Sequence, residues 1–279
     1  ADTENHAIRA ANLRTRQVTT VLGTGRQATR FNVPGRGRGV DLSSPWDVAI
    51  HAGKLYIAMA GSHQIWVADT ANWDARPHAG SGREARVDGP LLDAALAQPS
   101  GITTDGRKLY FADSETSSIR AADLESGGTV TTIVGEDLFE FGDREGGRGR
   151  ARLQHPLGIT FHDGVLYVAD TYNSKIKIVD PARSTSTTYA GTGKHGTTDG
   201  PLRSSAFNEP GGLVVLGDRI YVADTNNHQI RVIDRAAGKV SLLEMTGIEK
   251  LTATAGKRFS GREIDLAPQR LRPGHAKLR

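Results

Sequence analysis

The chain has 279 residues, of which 37% are hydrophobic and 6% aromatic, with 33 glycines and no cysteine. This composition allows one or two domains with a substantial core, and it favours short strands joined by tight turns. Without cysteine the chain has no disulfide, no thiolate nucleophile and no Cys-ligated zinc. No apolar run approaches the roughly 20 residues that cross a bilayer, and no leader-like pattern opens the chain. We therefore expect no membrane partner and favour a soluble, cytoplasmic protein over a secreted one.

The net charge of +4 is concentrated at one end of the chain. Residues 255–279 contain seven basic and two acidic side chains, so residues 1–254 are close to neutral. A nucleic acid would need a basic surface on the main body, which the sequence does not provide. We do not expect nucleic acid as a partner.

A short phrase with an acid near its start recurs along the chain at spacings of 57, 54, 57 and 54 residues. The acid position is Asp2, Met59, Asp113, Asp170 and Asp224, with Met59 as the exception. Two further phrases keep matched offsets: a Pro-x-Gly phrase, as in "PLGI" at 156–159, and a Gly-rich phrase, as in "YAGTG" at 189–193. Three phrases in constant order indicate a true structural repeat.

Each repeat unit is expected to form four short strands. In one unit these are residues 158–162, 165–169, 175–179 and 187–190, separated by turn signals such as Asp163-Gly164. Four strands in a period of this length are typical of a β-propeller blade. The pattern therefore predicts an all-β fold, a β-propeller with four-stranded blades.

The repeat count predicts four full blades preceded by half a blade. A ring of blades must close to protect its edge strands, so we interpret the chain as a piece of a longer polypeptide. We assign residues 1–254 to an N-terminally incomplete propeller. Residues 255–279 form a basic tail, which could begin a further β-rich segment.

The repeated acid and amide are expected to be structural. They lie on the hairpin between second and third strands, where they can satisfy backbone groups of the turn. A functional residue would rarely recur in every blade, whereas a turn must. We assign this role to Asp2, Asp113, Asp170, Asp224, Asn5, Asn173 and Asn227.

The binding surface is predicted on the face where these hairpins and the long connections between blades lie. The connections span residues 25–45, 82–99, 135–156 and 193–210. One blade breaks the repeat on this face: it has an acid in place of a glycine, Met in place of the acid, and Trp in place of a terminal Arg. The candidate binding residues are Trp46, Asp47, Met59, His63, Trp66, Glu115, His155, Tyr172 and Asn226.

No sequence template for catalysis is present. The hairpin histidines His6, His63 and His228 would need to converge on the central channel to make an open zinc site. We assign no catalytic residue, no metal ligand and no cofactor. The arginines of the connection at 140–152 are either solvated or in contact with an anion.

"ADTENHAIR" and "VADTNNHQIRV" resemble the NHL repeat family. The longer motifs "SSPWDV", "FEFGD", "LQHPLGIT" and "FNEPGGL" resemble those family members, bacterial ones included, in which the propeller follows a thioredoxin-like domain. The resemblance covers residues 1 to about 245. It implies a six-bladed ring in the full-length protein and a thioredoxin-like domain in cis, which this chain lacks.

Three hypotheses for function follow. The first is a non-catalytic scaffold that binds a protein or small ligand on its long-loop face. The alternatives, which the family resemblance suggests, are a metal-dependent lyase with its site at the central channel and a single-stranded RNA-binding propeller.

Overall fold

A two-stranded sheet and four five-stranded antiparallel sheets follow one another along the chain. The computed structural model describes residues 1–244. The fold is an all-β propeller arrangement, and Ala1–Leu242 form one compact unit. The predicted basic tail, 255–279, lies outside the described residues.

Each sheet is made by one continuous stretch of chain, which we call the half-blade and blades 1 to 4. The half-blade contains β1 (Ile8–Ala11) and β2 (Val18–Leu22). Blade 1 contains β3 (Gly35–Arg36), β4 (Pro45–His51), β5 (Lys54–Met59), β6 (Gln64–Asp69) and β7 (Asp74–Ala79). Blade 2 contains β8 (Gly89–Pro90), β9 (Pro99–Thr104), β10 (Lys108–Asp113), β11 (Ser118–Asp123) and β12 (Thr129–Val134).

The last two blades repeat this order. Blade 3 contains β13 (Gly146–Gly147), β14 (Ile159–His162), β15 (Val165–Asp170), β16 (Lys175–Asp180) and β17 (Thr185–Ala190). Blade 4 contains β18 (Gly200–Pro201), β19 (Pro210–Leu216), β20 (Arg219–Asp224), β21 (Gln229–Asp234) and β22 (Lys239–Leu242). Single 3₁₀ turns lie at Thr3–Asn5, Gly37–Gly39, Ala60–Ser62, Thr171–Asn173, Leu202–Ser204 and Thr225–Asn227.

The predicted four strands per blade are found, together with a fifth strand that the sequence did not indicate. In blade 2 the fifth strand, Gly89–Pro90, pairs with the outer edge of β12 through only two residue pairs. It comes from the connection between blades. A two-residue strand carries no alternating pattern, so sequence periodicity could not predict it.

The core lies between consecutive sheets. Along β5, Tyr56 and Ala58 pack toward blade 2, whereas Leu55, Ile57 and Met59 pack toward the half-blade. Successive side chains of a strand point to opposite faces, and here both faces are covered. This is why the second strand of each blade is a continuous apolar run.

The two ends of the strands form two different faces. The long connections and the hairpins between second and third strands form the loop face. The hairpins between first and second strands and those between third and fourth strands form the opposite face, which we call the hairpin face. The hairpins of the loop face each contain one left-handed residue, for example His63 with φ of 53°.

Candidate functional site

In blades 2, 3 and 4 the hairpin aspartate accepts a hydrogen bond from a backbone N–H of the connection before its blade. In blade 2, Asp113 Oδ1 accepts from the Ala97 N–H at 2.8 Å. The donor lies 16 residues upstream, and the same spacing recurs for Asp170 with Gln154 and for Asp224 with Asn208, both at 2.7 Å. These carboxylates therefore anchor the connections, a contact that adds to the turn role predicted for them.

The second oxygen of each carboxylate faces a buried cation seven residues downstream. Arg120 donates to Asp113 Oδ2 at 2.8 Å, and neither side chain is exposed. Arg120 also binds the carbonyls of Ala95 and Val87 and the carboxylate of Asp88. Lys177 and Arg231 occupy the equivalent positions next to Asp170 and Asp224. Burial raises the pKa of Asp113, and the guanidinium of Arg120 opposes that shift.

Blade 1 replaces this ion pair with two uncharged side chains. Met59 takes the place of the aspartate, and its Sδ accepts the N–H of Ser43 at 3.3 Å, again 16 residues upstream. Trp66 takes the place of the cation and donates its indole N–H to Gln64 Oε1 at 3.0 Å. Only 1% of Met59 and 4% of Trp66 is exposed. Both residues are part of the core, so the structure corrects their prediction as surface binding residues.

The rest of the charged network has also changed in blade 1. In blade 2, Asp88 accepts the backbone N–H of Thr132, which lies opposite Arg120 in the sheet. The corresponding residue to Thr132 in blade 1 is Pro77, which lies opposite Trp66 and has no N–H. The residue before the short outer strand is Pro34 instead of an acid. Every charged member of the network is thus missing from this blade.

Asp47 joins the innermost strands of blades 1 and 2. Its Oδ2 accepts the N–H of Ile102 at 2.9 Å, and its Oδ1 accepts the N–H of Val48 at 2.8 Å. Burial raises the pKa of Asp47. In blades 2 and 3 a hydroxyl after the hairpin aspartate makes the link to the next blade, as Ser114 Oγ does to Pro156 O at 2.9 Å. Blade 1 has Ala60 there, so Asp47 provides the connection that Ala60 cannot.

The side chain of His63 is also engaged in a contact between blades. Its Nδ1 accepts the N–H of Gln98, which precedes Pro99 at the start of β9, at 3.2 Å. His6 makes the same contact with Ser44 at 3.1 Å. In blades 2 and 3 a serine hydroxyl replaces the imidazole, as Ser117 does for the N–H of His155. The predicted binding residue His63 therefore connects two blades, and its Nδ1 is not available to a ligand.

Replacing His63 with Ala should lower the free energy of unfolding by about 1 kcal/mol, because the Gln98 N–H loses its acceptor. Replacing His63 with Ser should cost clearly less, since Ser117 and Ser174 accept the equivalent N–H in later blades. Urea unfolding of both variants measures the difference. Equal losses would show that the imidazole acts by packing alone.

The remaining predicted binding residues lie on the surface of the loop face. Trp46 is 38% exposed and lines a cavity of about 350 Å³ at the start of the innermost strands, together with Asp47, Ser100 and Leu157. Glu115, Tyr172 and Asn226 occupy one equivalent hairpin position in blades 2, 3 and 4. Tyr172 is 50% exposed.

Three of these residues form a cluster between blades 2 and 3. The His155 ring stacks on Tyr172, with centroids 4.6 Å apart and an angle of 14° between the planes. His155 Nδ1 lies 3.8 Å from Glu115 Oε1. Burial lowers the pKa of His155, while the charges of Glu115 and Glu209 oppose that shift. The imidazole is therefore mainly neutral at pH 7 and offers a flat aromatic surface with Tyr172.

The described part of the chain contains no group of three or more His, Asp or Glu side chains placed to hold a metal ion. His6 and His63 lie in separate hairpins, each bonded to its own neighbouring blade. Within residues 1–244 no helix is long and apolar enough to cross a membrane.

Comparison with known proteins agrees with the repeat pattern. A family model for the NHL repeat matches residues 207–233. NHL repeat-containing protein 2 from Homo sapiens is 42% identical over 276 residues, which are 87% of this chain and 38% of that protein. The chain is an NHL-repeat β-propeller.

A plant protein matches this NHL propeller at the same sequence identity as the human protein does. Protein SUPPRESSOR OF QUENCHING 1, chloroplastic, from Arabidopsis thaliana is 42% identical over 270 residues, covering 91% of the chain and 26% of that protein. The chain spans only about a quarter to two fifths of the length of the curated relatives it matches. These relatives are eukaryotic, and the expected bacterial homologues stay a prediction. The six-bladed ring and the thioredoxin-like domain in cis stay predictions as well.

Among solved structures, an auxiliary nutrient binding protein from Bacteroides ovatus superimposes on the NHL propeller with a TM-score of 0.61. The match covers 88% of this chain and 60% of that protein, at 20% identity. At this low sequence identity, the structural match supports the propeller fold and gives no information about a ligand.

The sequence therefore located the NHL blades correctly but not the use of their most irregular residues. The structure brings Glu115, His155 and Tyr172 together and leaves Trp46 and Asn226 on the same face. It separates Met59 and Trp66 from that surface. The buried cations were missed as a set, although the constant seven-residue spacing from Asp to Arg or Lys was a signal for them.

Proposed function

We propose that this NHL propeller is a non-catalytic interaction scaffold that binds a protein or small ligand on its loop face, beside a thioredoxin-like domain in the full-length protein. The observation that carries the proposal is the pair of aromatic surfaces on a rigid frame. Trp46 at the central cavity and Tyr172 stacked on His155 remain exposed, whereas the other irregular aromatic, Trp66, is buried. Aromatic residues supply much of the affinity at protein interfaces.

The frame beneath these residues is held by polar contacts between blades. Asp47, beside Trp46, binds the next blade through Ile102, and Thr171, beside Tyr172, donates to the carbonyl of Pro210 at 2.9 Å. Such a frame keeps the loop-face positions in fixed relation, which lowers the entropic cost of binding.

A protein or small ligand fits the charge of the loop connections better than a nucleic acid does. Two arginines of the connection at 140–152 are already paired, Arg148 with Asp88 and Arg152 with Glu140, both at 3.3 Å. Binding of a nucleic acid depends on basic side chains that are free to neutralise its phosphate groups.

Replacing both Trp46 and Tyr172 with Ala should reduce the amount of captured partner at least tenfold. Thermal stability should stay nearly unchanged. Capture from lysate by the immobilised chain, quantified by mass spectrometry, measures the loss. Leu216→Ala is the matched control, because Leu216 is 71% exposed on the hairpin face. A partner that binds the double variant as well as the wild type would place the binding surface elsewhere.

A further inference from the structure

Two large open spaces border the hairpin face, between blades 1 and 2. Two adjoining cavities of about 710 and 780 Å³ share Lys54, Tyr56 and residues 124–128. Together we call them the inter-blade groove. They lie away from Trp46 and Tyr172, so the scaffold function proposed above does not involve them.

The groove is open because a bridge found between blades 3 and 4 is missing here. At that later junction Arg235 donates to Asp163 at 3.0 Å and covers the ring of Tyr167 at 5.8 Å. The positions that correspond to Asp163 and Arg235 in blades 1 and 2 are Ala52 and Leu124. Both line the groove, and neither can form an ion pair.

The junction between blades 2 and 3 is filled in another way. There Phe161 stacks on Tyr110 at 5.8 Å, and the Tyr110 hydroxyl donates to Asp105 at 2.9 Å. The position that corresponds to Phe161 in blade 2 is Thr104, which is paired with Leu109 as Phe161 is with Leu166. A threonine has no ring to stack on Tyr56 as Phe161 stacks on Tyr110.

The floor of the groove presents one polar group without a partner. Tyr56 is 2% exposed and lines both cavities, and its hydroxyl makes no hydrogen bond to residues 1–244. The hydroxyl oxygen is not among the fully buried polar atoms, so it faces the open groove, where a ligand can accept its proton. His78 packs against the same ring at 5.2 Å, and its Nε2 donates to the carbonyl of Asp123 at 2.9 Å.

The charges nearest this floor are positive. Lys54, Arg76 and Arg107 line the groove, and no carboxylate lies within 4 Å of any of them in the described part of the chain. Burial lowers the pKa of His78, and the nearby charges of Arg76 and Lys54 lower it further. Lys108 is neutralised by Asp123 at 3.0 Å, and the exposed acids Asp93 and Glu125 lie at the lining of the groove as well.

Apolar side chains complete the lining. Leu91, Leu124 and Pro77 lie beside the cationic residues, and Leu91 and Leu124 belong to the core cluster or pack against it. A site with an apolar floor and a few placed polar groups is typical of small-ligand pockets.

We infer that the inter-blade groove binds a small amphipathic anion, with an apolar body and one carboxylate or sulfonate group. The body packs on Leu91, Leu124 and Pro77. Lys54 and Arg76 hold the anionic group, and the Tyr56 hydroxyl donates a hydrogen bond to it.

The first experiment uses 8-anilinonaphthalene-1-sulfonate as the probe, titrated into the whole chain and followed by fluorescence. Saturable binding of one probe per chain is expected. The variant A52D/L124R copies the bridge of Asp163 and Arg235 into the groove and should weaken binding at least about tenfold. L216R is the control, because it puts an arginine on the hairpin face of blade 4. Non-saturable binding by the wild type, or unchanged affinity in A52D/L124R, would overturn the inference.

The second experiment tests whether the anion is recognised. K54Q/R76Q changes only exposed side chains, so it should fold even if A52D/L124R does not. It should weaken binding of the sulfonate probe about tenfold and leave N-phenyl-1-naphthylamine, a related neutral aromatic probe, unaffected. Equal affinity of K54Q/R76Q and the wild type for the sulfonate would contradict anion recognition. Equal losses for the two probes would contradict it as well.

Discussion

Replacing Asp113 with Met should lower the free energy of unfolding by about 3–5 kcal/mol. The change leaves Arg120 without its buried carboxylate, and Arg120 has no exposed surface from which to reach water. Asp88 still contacts the guanidinium at 3.1 Å, so we expect a loss in the lower part of this range. Urea unfolding followed by circular dichroism measures it.

The half-blade offers a matched control for this prediction. Asp2 pairs with Arg9 at 2.9 Å in the same repeat positions, but both side chains are partly exposed. Asp2→Met should therefore cost no more than about 1 kcal/mol. Met59→Asp is the reverse change, and it should be strongly destabilising because Trp66 offers no charge to the new carboxylate. Similar small losses for all three variants would mean that burial of the pair is energetically unimportant.

The contribution of Asp170 to the free energy of unfolding should fall as the pH rises from 5 to 8. Burial raises the pKa of Asp170 to about 7, with Lys177 opposing the shift and Asp143 adding to it. Between the ordinary pKa of 3.8 and about 7, the folded state holds a proton that the unfolded state has released. The stabilisation by this proton is complete below the ordinary pKa and is lost as the pH rises through 7.

The variant Asp170→Asn isolates this contribution, because the amide does not titrate. The free energy of unfolding of the wild type, relative to this variant, should fall by about 2–3 kcal/mol between pH 5 and pH 8. Asp180→Asn is the control: hydrogen bonds from Arg183 lower the pKa of Asp180, so that carboxylate is ionised in both states throughout this range. A wild type and an Asp170→Asn variant with parallel pH profiles would contradict the raised pKa.

The two predictions have one structural origin. Blades 2, 3 and 4 use a buried acid and a buried cation to hold the connection before them, whereas blade 1 uses the uncharged Met59 and Trp66. Buried ion pairs can often be exchanged for well-packed uncharged side chains, provided that both partners change together. Blade 1 shows such an exchange inside one chain, extended to Pro34 and Pro77 around the pair.

Sequence alone determined the blade period, the second and third strands, and the hairpin positions of the repeated acids and amides. These features depend on alternation of apolar residues and on turn chemistry, which act over a few neighbouring residues. They were sufficient to predict an all-β propeller and to place Trp46, Glu115, His155 and Tyr172 on one face.

Only the tertiary structure decided which irregular residues are available to a ligand. Met59 and Trp66 look like a surface site in the sequence, because one blade differs from the others there. They are core residues because they pack against the half-blade in the folded protein, where Ser43 and Gln64 supply their hydrogen-bond partners. The inter-blade groove likewise depends on Ala52 and Leu124, which lie 72 residues apart in the chain. Such sites arise from contacts between distant residues, and a local sequence pattern carries no information about which distant residues meet.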